Sequence, residues 1–151
     1  FELVDFSEET LAWTRNRLSS INDRIGKAVT IDYVHDSVHQ LLKRRTTPMQ
    51  ADNREFDAVY CAGLFDYLSD KVCSRLMMHF ATRTRRGGTL LVTNVHSCNP
   101  EKLFVMGHLL EWYLIYRDEV KMDFLLPEQS TERKIYVDAT GVNVFAEMTI
   151  V

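Results

Sequence analysis

Residues 1–13, FELVDFSEETLAW, begin with a short apolar run that ends in Asp5 and pass at once into a helix start. Ser7 is well placed to cap a helix, and the two glutamates after it fall in the first turn, where negative side chains complement the helix dipole. We therefore predict a strand at residues 2–6, followed by a helix that reaches about residue 20.

The same alternation of a short apolar run with a helical pattern is repeated along the chain. We predict further strands at residues 28–34, 56–61 and 89–95. Helical spacing follows the second and third strands, and Gly87-Gly88 is expected to end the helix that precedes the last of them. Residues 134–138 and 142–151 flank the turn residues ATG and predict an antiparallel hairpin.

An unusually apolar helix is predicted at residues 100–116, with Pro100 at its first position. Polar loops are expected around Pro48 and through Pro127 and Glu132. The resulting order of elements, β-α-β-α-β-α-β-α-β-β, predicts a single α/β domain over residues 1–151. We expect a three-layer αβα sheet, mostly parallel, with an antiparallel C-terminal hairpin.

The composition argues against several classes of protein. With 46% hydrophobic residues, 26% charged residues and a formal net charge of -3, the chain resembles ordinary globular domains and has no general attraction for nucleic acid. Its three cysteines form neither a metal-binding spacing nor a disulfide framework, which predicts a reducing, cytoplasmic setting and no metal site. The most apolar segment, residues 103–116, is broken by Gly107, His108 and Glu111, so no membrane span is expected.

Candidate binding residues follow the predicted strands, because ligands of open α/β sheets bind at the carboxyl ends of strands. The candidates are Asp5 and Phe6, then Asp36 and Ser37, then Ala62, Gly63 and Leu64. The carboxylate of Asp5 can accept hydrogen bonds from two ribose hydroxyls, and that of Asp36 from an adenine amino group. Each has a structural alternative, since both acids could serve as helix caps and Gly63 could simply belong to a tight turn.

Together these segments resemble the class I Rossmann-like methyltransferases that use S-adenosylmethionine. LVDFSEETLAWTR is similar to that family's second strand and following helix, VHDSVHQLL to the segment after its third strand, FDAVYCAGLFDYLSD to its fourth strand and loop, and RRGGTLLVTNV to its fifth strand. The resemblance implies that Asp5 binds the cofactor ribose and Asp36 meets adenine. It also implies that the loop after residue 61 passes the methionine end of the cofactor.

The chain departs from this family at its start, because nothing in it corresponds to the family's first strand and glycine-rich loop. In the family's strand order that strand lies between the second and the fourth, where its removal would leave unpaired strand edges. We therefore expect an N-terminally truncated piece with its first strand missing. As such it should bind the cofactor weakly and be inactive alone.

The resemblance implies methyl transfer to a small-molecule acceptor by in-line displacement, with no base assigned. Candidates for contact with the acceptor are Tyr67, His96, Trp112, Tyr116 and Arg117. The alternatives are a loop histidine with a local hydrogen bond, and aromatic residues that belong to the core or to a homodimer interface through the 103–116 helix. Two other functions stay open: a nicotinamide-dependent oxidoreductase, and a non-enzymatic domain that binds a partner through that helix.

Overall fold

A computed structural model of the chain describes residues 1–44, 55–100, 102–127 and 132–151. The chain divides into two units, Phe1–Ala51 and Asp52–Val151. The loop predicted around Pro48 lies outside the described residues. Among the described helices, none is both long enough and apolar enough to span a bilayer.

The first unit alternates two strands with two helices. They are β1 (Glu2–Asp5), α1 (Glu8–Arg24), β2 (Asp32–His35) and α2 (Val38–Arg44). The two strands pair in parallel, from Glu2 opposite Asp32 to Asp5 opposite His35. Ser7 caps α1 as predicted, because its Oγ accepts a hydrogen bond from Thr10 N–H at 3.1 Å.

Two predicted boundaries in the first unit are wrong. The first helix continues to Arg24, and the strand predicted at residues 28–34 begins only at Asp32. Asn22 explains the late start, because its side-chain amide donates to Val29 O at 2.7 Å and accepts from Val29 N–H at 3.1 Å. The backbone groups of Val29 are thereby used by a side chain and not by a neighbouring strand.

The second unit holds a four-stranded mixed sheet. Its elements are β3 (Phe56–Cys61), α3 (Asp70–Arg83), β4 (Thr84–Val95), α4 (Glu119–Leu125), β5 (Glu132–Val137) and β6 (Asn143–Thr149). The strand order is β3-β4-β6-β5; β3 and β4 are parallel, and β6 is antiparallel to both of its neighbours. The predicted antiparallel C-terminal hairpin is thus confirmed, and its last strand is inserted beside β4.

Fully buried side chains on several elements form the core of this unit. They are Leu76 and Met77 of α3, Leu90 and Val92 of β4, Met122 of α4, and Val144 and Ala146 of β6. Along β6, buried residues alternate with half-buried ones, as the two-residue period of a strand requires. Each fully buried leucine or methionine contributes roughly 1.5–3 kcal/mol through removal of its apolar surface from water.

The double glycine does not end a helix, contrary to the prediction. Helix α3 ends at Arg83, and Gly87 and Gly88 lie inside β4, which begins at Thr84. Gly87 N–H donates to Ile150 O at 2.7 Å, and Ile150 N–H donates to Gly88 O at 3.0 Å. Hydrogen bonds to the last residues of the chain therefore make this stretch a strand.

The prediction of a helix at residues 100–116 is also wrong. A π-helix spans Lys102–Leu109, and the residues from 110 to 117 are irregular. Glu111, near the start of the irregular segment, adopts a left-handed conformation with φ of 48°. Residues 110–117, which we call the crossing segment, do not continue the helix. Their backbone forms hydrogen bonds with Asp66, which follows β3, and with Asn94 and Val95 at the carboxyl end of β4.

A helix absent from the prediction, α4, follows the crossing segment where a polar loop was expected. Asp118 caps it, because its Oδ1 accepts a hydrogen bond from Lys121 N–H at 2.8 Å. Met122 and Leu125 are buried one turn apart, which is the spacing of an apolar helix face. These two sequence signals could have predicted the helix.

Candidate functional site

The first unit brings together the four candidates that follow β1 and β2. Asp36 N–H donates to Asp5 O at 3.0 Å, which extends the pairing from the last residue of β1 to the residue after β2. The ring Nε2 of His35 lies 2.8 Å from Phe6 O. Phe6 is exposed, and Ser37 follows directly on Asp36. Two carboxylates and one exposed aromatic ring thus share one end of this parallel pair.

The side chains of Asp5 and Asp36 differ in their surroundings. Asp5 Oδ1 accepts a hydrogen bond from Ser7 N–H at 2.8 Å, whereas Asp5 Oδ2 has no hydrogen-bond partner among the described residues. Asp36 is buried. The capping role considered for Asp36 is performed by Ser37, which donates its N–H to Gln40 Oε1 at 2.9 Å and accepts Gln40 N–H on Oγ at 3.3 Å.

In the second unit, Ala62, Gly63 and Leu64 connect β3 to a single 3₁₀ turn, Phe65–Tyr67. Gly63 has φ of 71°, a conformation that other residues adopt at a cost, and a Cβ there would meet nothing within 4 Å. Its N–H donates to Thr93 Oγ1 at 3.3 Å, which ties the connection to β4. The backbone at Gly63 is therefore both held in place and open to close approach.

Asp66, which the sequence analysis did not select, joins three parts of the second unit. Its Oδ1 accepts a hydrogen bond from Val95 N–H at 2.7 Å, and its backbone carbonyl accepts Ile115 N–H at 2.8 Å. Burial raises the pKa of Asp66, and the bond from Val95 and the positive charge of Arg117 oppose that rise. The sequence signal that could have selected Asp66 is an acid within the apolar run that continues past the end of β3.

Arg117 is fully buried, with 0% of its surface exposed, and donates hydrogen bonds to four residues. Its Nη1 donates to Asn94 Oδ1 at 2.6 Å and to Phe65 O at 2.8 Å. Its Nη2 donates to Leu68 O and to Asp70 Oδ1, each at 2.7 Å, and its Nε donates to the same Asp70 oxygen at 3.0 Å. All five N–H groups of the guanidinium are thus used within the unit. This arrangement gives no support to a contact between Arg117 and a substrate.

His96 is also buried, and both of its ring nitrogens are engaged. Cys98 N–H donates to Nδ1 at 3.3 Å, so the ring hydrogen lies on Nε2 and is donated to Glu119 Oε2 at 3.1 Å. The backbone N–H of Glu119, together with this bond from His96, lowers the pKa of the Glu119 carboxyl. The local hydrogen bonding considered for this histidine is therefore present.

The structure brings two of the aromatic candidates into contact. Trp112 Nε1–H donates to the Tyr67 hydroxyl oxygen at 2.6 Å, and the two residues are 42% and 55% exposed. Tyr116 is half-buried, in the same crossing segment as Trp112. The predicted site residues therefore fall into two groups, one in each unit. In the described parts of the chain, no cluster of histidine, cysteine, aspartate or glutamate could hold a metal ion.

The three cysteines should differ sharply in reactivity. Burial raises the pKa of Cys61 to about 12 and that of Cys73 to about 11, whereas Cys98 is exposed. Only the thiolate reacts, so at pH 8 the thiolate should make up about one molecule in a thousand for Cys73 and fewer for Cys61. Titration of the native protein with a chromogenic disulfide should release one fast equivalent, and all three after denaturation. Two or more equally fast thiols would contradict this burial.

The arrangement of strands defines the class of this fold. In the first unit, the parallel strands β1 and β2 are followed or ended by acids, Asp36 and Asp5. In the second unit, β6 is inserted antiparallel beside β4. This is the fold of the class I S-adenosylmethionine-dependent methyltransferases, and several solved structures of such enzymes match 99% of the chain. The Rossmann-like fold implied by the sequence resemblance is therefore confirmed.

Three solved structures illustrate the similarity, each matching 99% of this chain. A possible exported protein of Bordetella parapertussis is 17% identical with a TM-score of 0.74, and 52% of that chain is covered. The N-methyltransferase NodS of Bradyrhizobium japonicum, with bound S-adenosylhomocysteine, is 14% identical with a TM-score of 0.58 and 65% coverage. The magnesium protoporphyrin IX methyltransferase ChlM of Synechocystis, with bound S-adenosylmethionine, is 11% identical with a TM-score of 0.60 and 59% coverage.

The chain thus spans about half the length of the Bordetella protein. No protein-family model matches the chain, and neither does any curated protein sequence.

Proposed function

We propose that this chain is part of an enzyme that transfers a methyl group from S-adenosylmethionine to a small-molecule acceptor. The observation that carries the proposal is the match over 99% of the chain to methyltransferases, including structures that contain S-adenosylhomocysteine or S-adenosylmethionine. A homodimer through residues 103–116 remains a separate proposal.

The residues at the strand ends fit such a cofactor. Asp5 has one carboxylate oxygen without a partner in the described part of the chain, which suits it to accept from the ribose hydroxyls. Asp36, flanked by Ser37, is the proposed contact of the adenine amino group, and Phe6 offers an exposed ring at the same strand ends. In the second unit, Ala62, Gly63 and Leu64 are proposed to lie beside the methionine end of the cofactor, and the backbone is open to close approach at Gly63.

For this reaction the protein mainly has to position the two reacting groups. A sulfonium supplies an electrophilic methyl group, and an acceptor lone pair forms the new bond to carbon as the sulfur–carbon bond breaks. The protein must hold acceptor and methyl group on one axis and exclude water. No residue is assigned as a base, because both ring nitrogens of His96 are engaged within the unit.

The pairing of strands supports the further proposal that the family's first strand lies outside residues 1–151. β1 pairs with β2 and β3 pairs with β4, and neither β1 nor β3 has a second ladder partner among the described residues. A strand edge with unpaired backbone groups favours pairing with another strand. Residues 1–151 alone should then bind the cofactor weakly, and tight binding by them would contradict this part of the proposal.

Calorimetric titration of the full-length protein with S-adenosylhomocysteine tests the function. Asp5→Ala should weaken binding at least about tenfold, because it removes charge-assisted hydrogen bonds to the ribose. Asp23→Ala is the matched control, since Asp23 is an exposed acid of α1 whose ion pair within the described residues is with Lys27 at 3.8 Å. The affinity of this variant should equal that of the wild type. The absence of binding heat in the wild type, or equal affinity for Asp5→Ala, would overturn the assignment.

A further inference from the structure

We propose that Tyr67 and Trp112 form an acceptor-binding surface for a neutral, planar molecule with a hydrogen-bond-accepting oxygen or ring nitrogen. This inference rests on the proposed function, because it names the class of methyl acceptor. We call the two side chains the aromatic pair.

The aromatic pair is exposed, yet its backbone is held on both sides. Tyr67 ends the 3₁₀ turn, in which Phe65 and Asp66 are buried and Asp66 Oδ1 accepts Val95 N–H. Trp112 donates its backbone N–H to Met106 O at 2.7 Å, and Ile115, three residues further, donates to Asp66 O at 2.8 Å. Two rings fixed in this way can bind a flat ligand with little loss of conformational entropy.

The hydrogen-bond chemistry of the pair determines what kind of polar atom a ligand should carry. An indole has only a donor, and that of Trp112 is given to the Tyr67 oxygen. The Tyr67 hydroxyl hydrogen is not donated to any group among the described residues, so it is available to a ligand. A ligand that accepts a hydrogen bond matches this donor, whereas an ammonium group, which only donates, does not.

The charges near the pair disfavour an anionic ligand. Tyr113 and Ile115, on the same crossing segment, are exposed and uncharged. The exposed charge of this segment is Glu111, which would repel an anion. Arg117 has no exposed surface and uses all of its N–H groups internally, so it cannot attract a phosphate or a carboxylate.

The position of the pair suits an acceptor of the proposed methyl group. Tyr67 N–H donates to Leu64 O at 3.2 Å, so the turn follows directly on residues 62–64. Those residues are the ones proposed to pass the methionine end of the cofactor. A molecule bound against Tyr67 would therefore lie beside that segment within a single unit.

Ligand-observed NMR titration of the full-length protein without cofactor tests the proposal with three probes. Quinoline is planar with an acceptor nitrogen, indole is planar with only a donor, and tetramethylammonium is cationic. We expect quinoline to bind at least about fivefold more tightly than either of the others, because one matched hydrogen bond contributes roughly 1 kcal/mol. Tighter binding of tetramethylammonium or equal binding of indole would overturn the proposal.

Substitutions then distinguish the contribution of the aromatic rings to binding from that of the Tyr67 hydroxyl. Tyr67→Phe should reduce quinoline affinity to that of indole, and Trp112→Leu should weaken both planar probes at least about tenfold. Tyr113→Phe is the matched control, because Tyr113 is exposed in the same segment but outside the pair, and it should bind all probes as the wild type does. Unchanged quinoline affinity in Tyr67→Phe would refute the role of the hydroxyl.

Titration with S-adenosylhomocysteine distinguishes failure of this inference from failure of the proposed function. Cofactor binding without quinoline binding would overturn the acceptor assignment alone. Quinoline binding without cofactor binding would overturn the methyltransferase assignment, and with it the role of the pair as an acceptor site.

Discussion

Replacement of Arg117 by methionine should lower the free energy of unfolding by about 3–5 kcal/mol, the range for removing one partner of a buried charged network. Methionine fills much of the space, but it removes the guanidinium donors of Asn94 Oδ1 and of the carbonyls of Phe65 and Leu68, although both carbonyls keep the weak donor of the Cys73 thiol. Arg86→Met, at an exposed position of the same unit, is the control and should change stability by less than about 0.5 kcal/mol. Urea unfolding followed by circular dichroism measures both variants.

Two further variants identify the source of this stability. Asp70→Asn should cost less than about 1 kcal/mol, because the Asp70 side chain is 69% exposed and ion pairs open to solvent contribute little. Arg117→Lys should lie between wild type and Arg117→Met, since lysine keeps the charge but not the planar fork of donors. If Asp70→Asn were as damaging as Arg117→Met, the ion pair and not the buried donors would hold this region.

Replacement of Gly88 by alanine should lower the free energy of unfolding by about 2–3 kcal/mol, the upper range for overpacking a well-packed site. An added Cβ would lie 2.7 Å from Thr84 Cγ2 and 2.9 Å from each of two carbonyl oxygens, those of Arg85 and Asp57. Both oxygens belong to the backbone, so neither can move without disturbing the β3–β4 pairing. Thermal or urea unfolding of the purified variant measures the loss.

Gly87→Ala is the matched control for Gly88→Ala. Gly87 has φ of 73°, but the nearest atom to its added Cβ is the flexible Arg85 Nη1 at 3.7 Å. The expected loss in Gly87→Ala comes only from placing alanine in the left-handed conformation, which should lower the free energy of unfolding by about 1 kcal/mol. A loss for Gly87→Ala that equals or exceeds the loss for Gly88→Ala would show that close backbone approach is not what requires Gly88.

Arg117 links the stability of the second unit to the proposed acceptor surface. It donates to carbonyls on both sides of Tyr67, at Phe65 and Leu68, and it ends the crossing segment that carries Trp112. The folded molecules of the Arg117→Lys variant should therefore also bind quinoline less tightly than the wild-type protein does.

Several features of the fold were predictable from the sequence because local chemistry determines them. Ser7 followed by acidic residues starts α1, the run at Phe56–Cys61 forms a strand with the predicted boundaries, and the turn residues ATG produce the β5–β6 hairpin. The acids Asp5 and Asp36 were selected as candidates for a similar reason, since each lies at or just after the end of a predicted strand.

Other features depended on partners distant in sequence. The double glycine has turn-like chemistry locally, but hydrogen bonds with Ile150 make it part of β4. Residues 110–116 have a helical pattern, yet Asp66 and Asn94 bind the backbone of Ile115 and hold the chain outside a helix.

The sequence by itself determined the order of the strands, the Ser7 cap of α1 and the acids at the strand ends, because these depend on residues adjacent in the chain. Only the tertiary structure revealed that Arg117 is buried with every donor used, and that Tyr67 contacts Trp112 across 45 residues of chain. Burial and hydrogen-bond partners depend on which distant segments meet, and the local pattern around a residue carries little information about that.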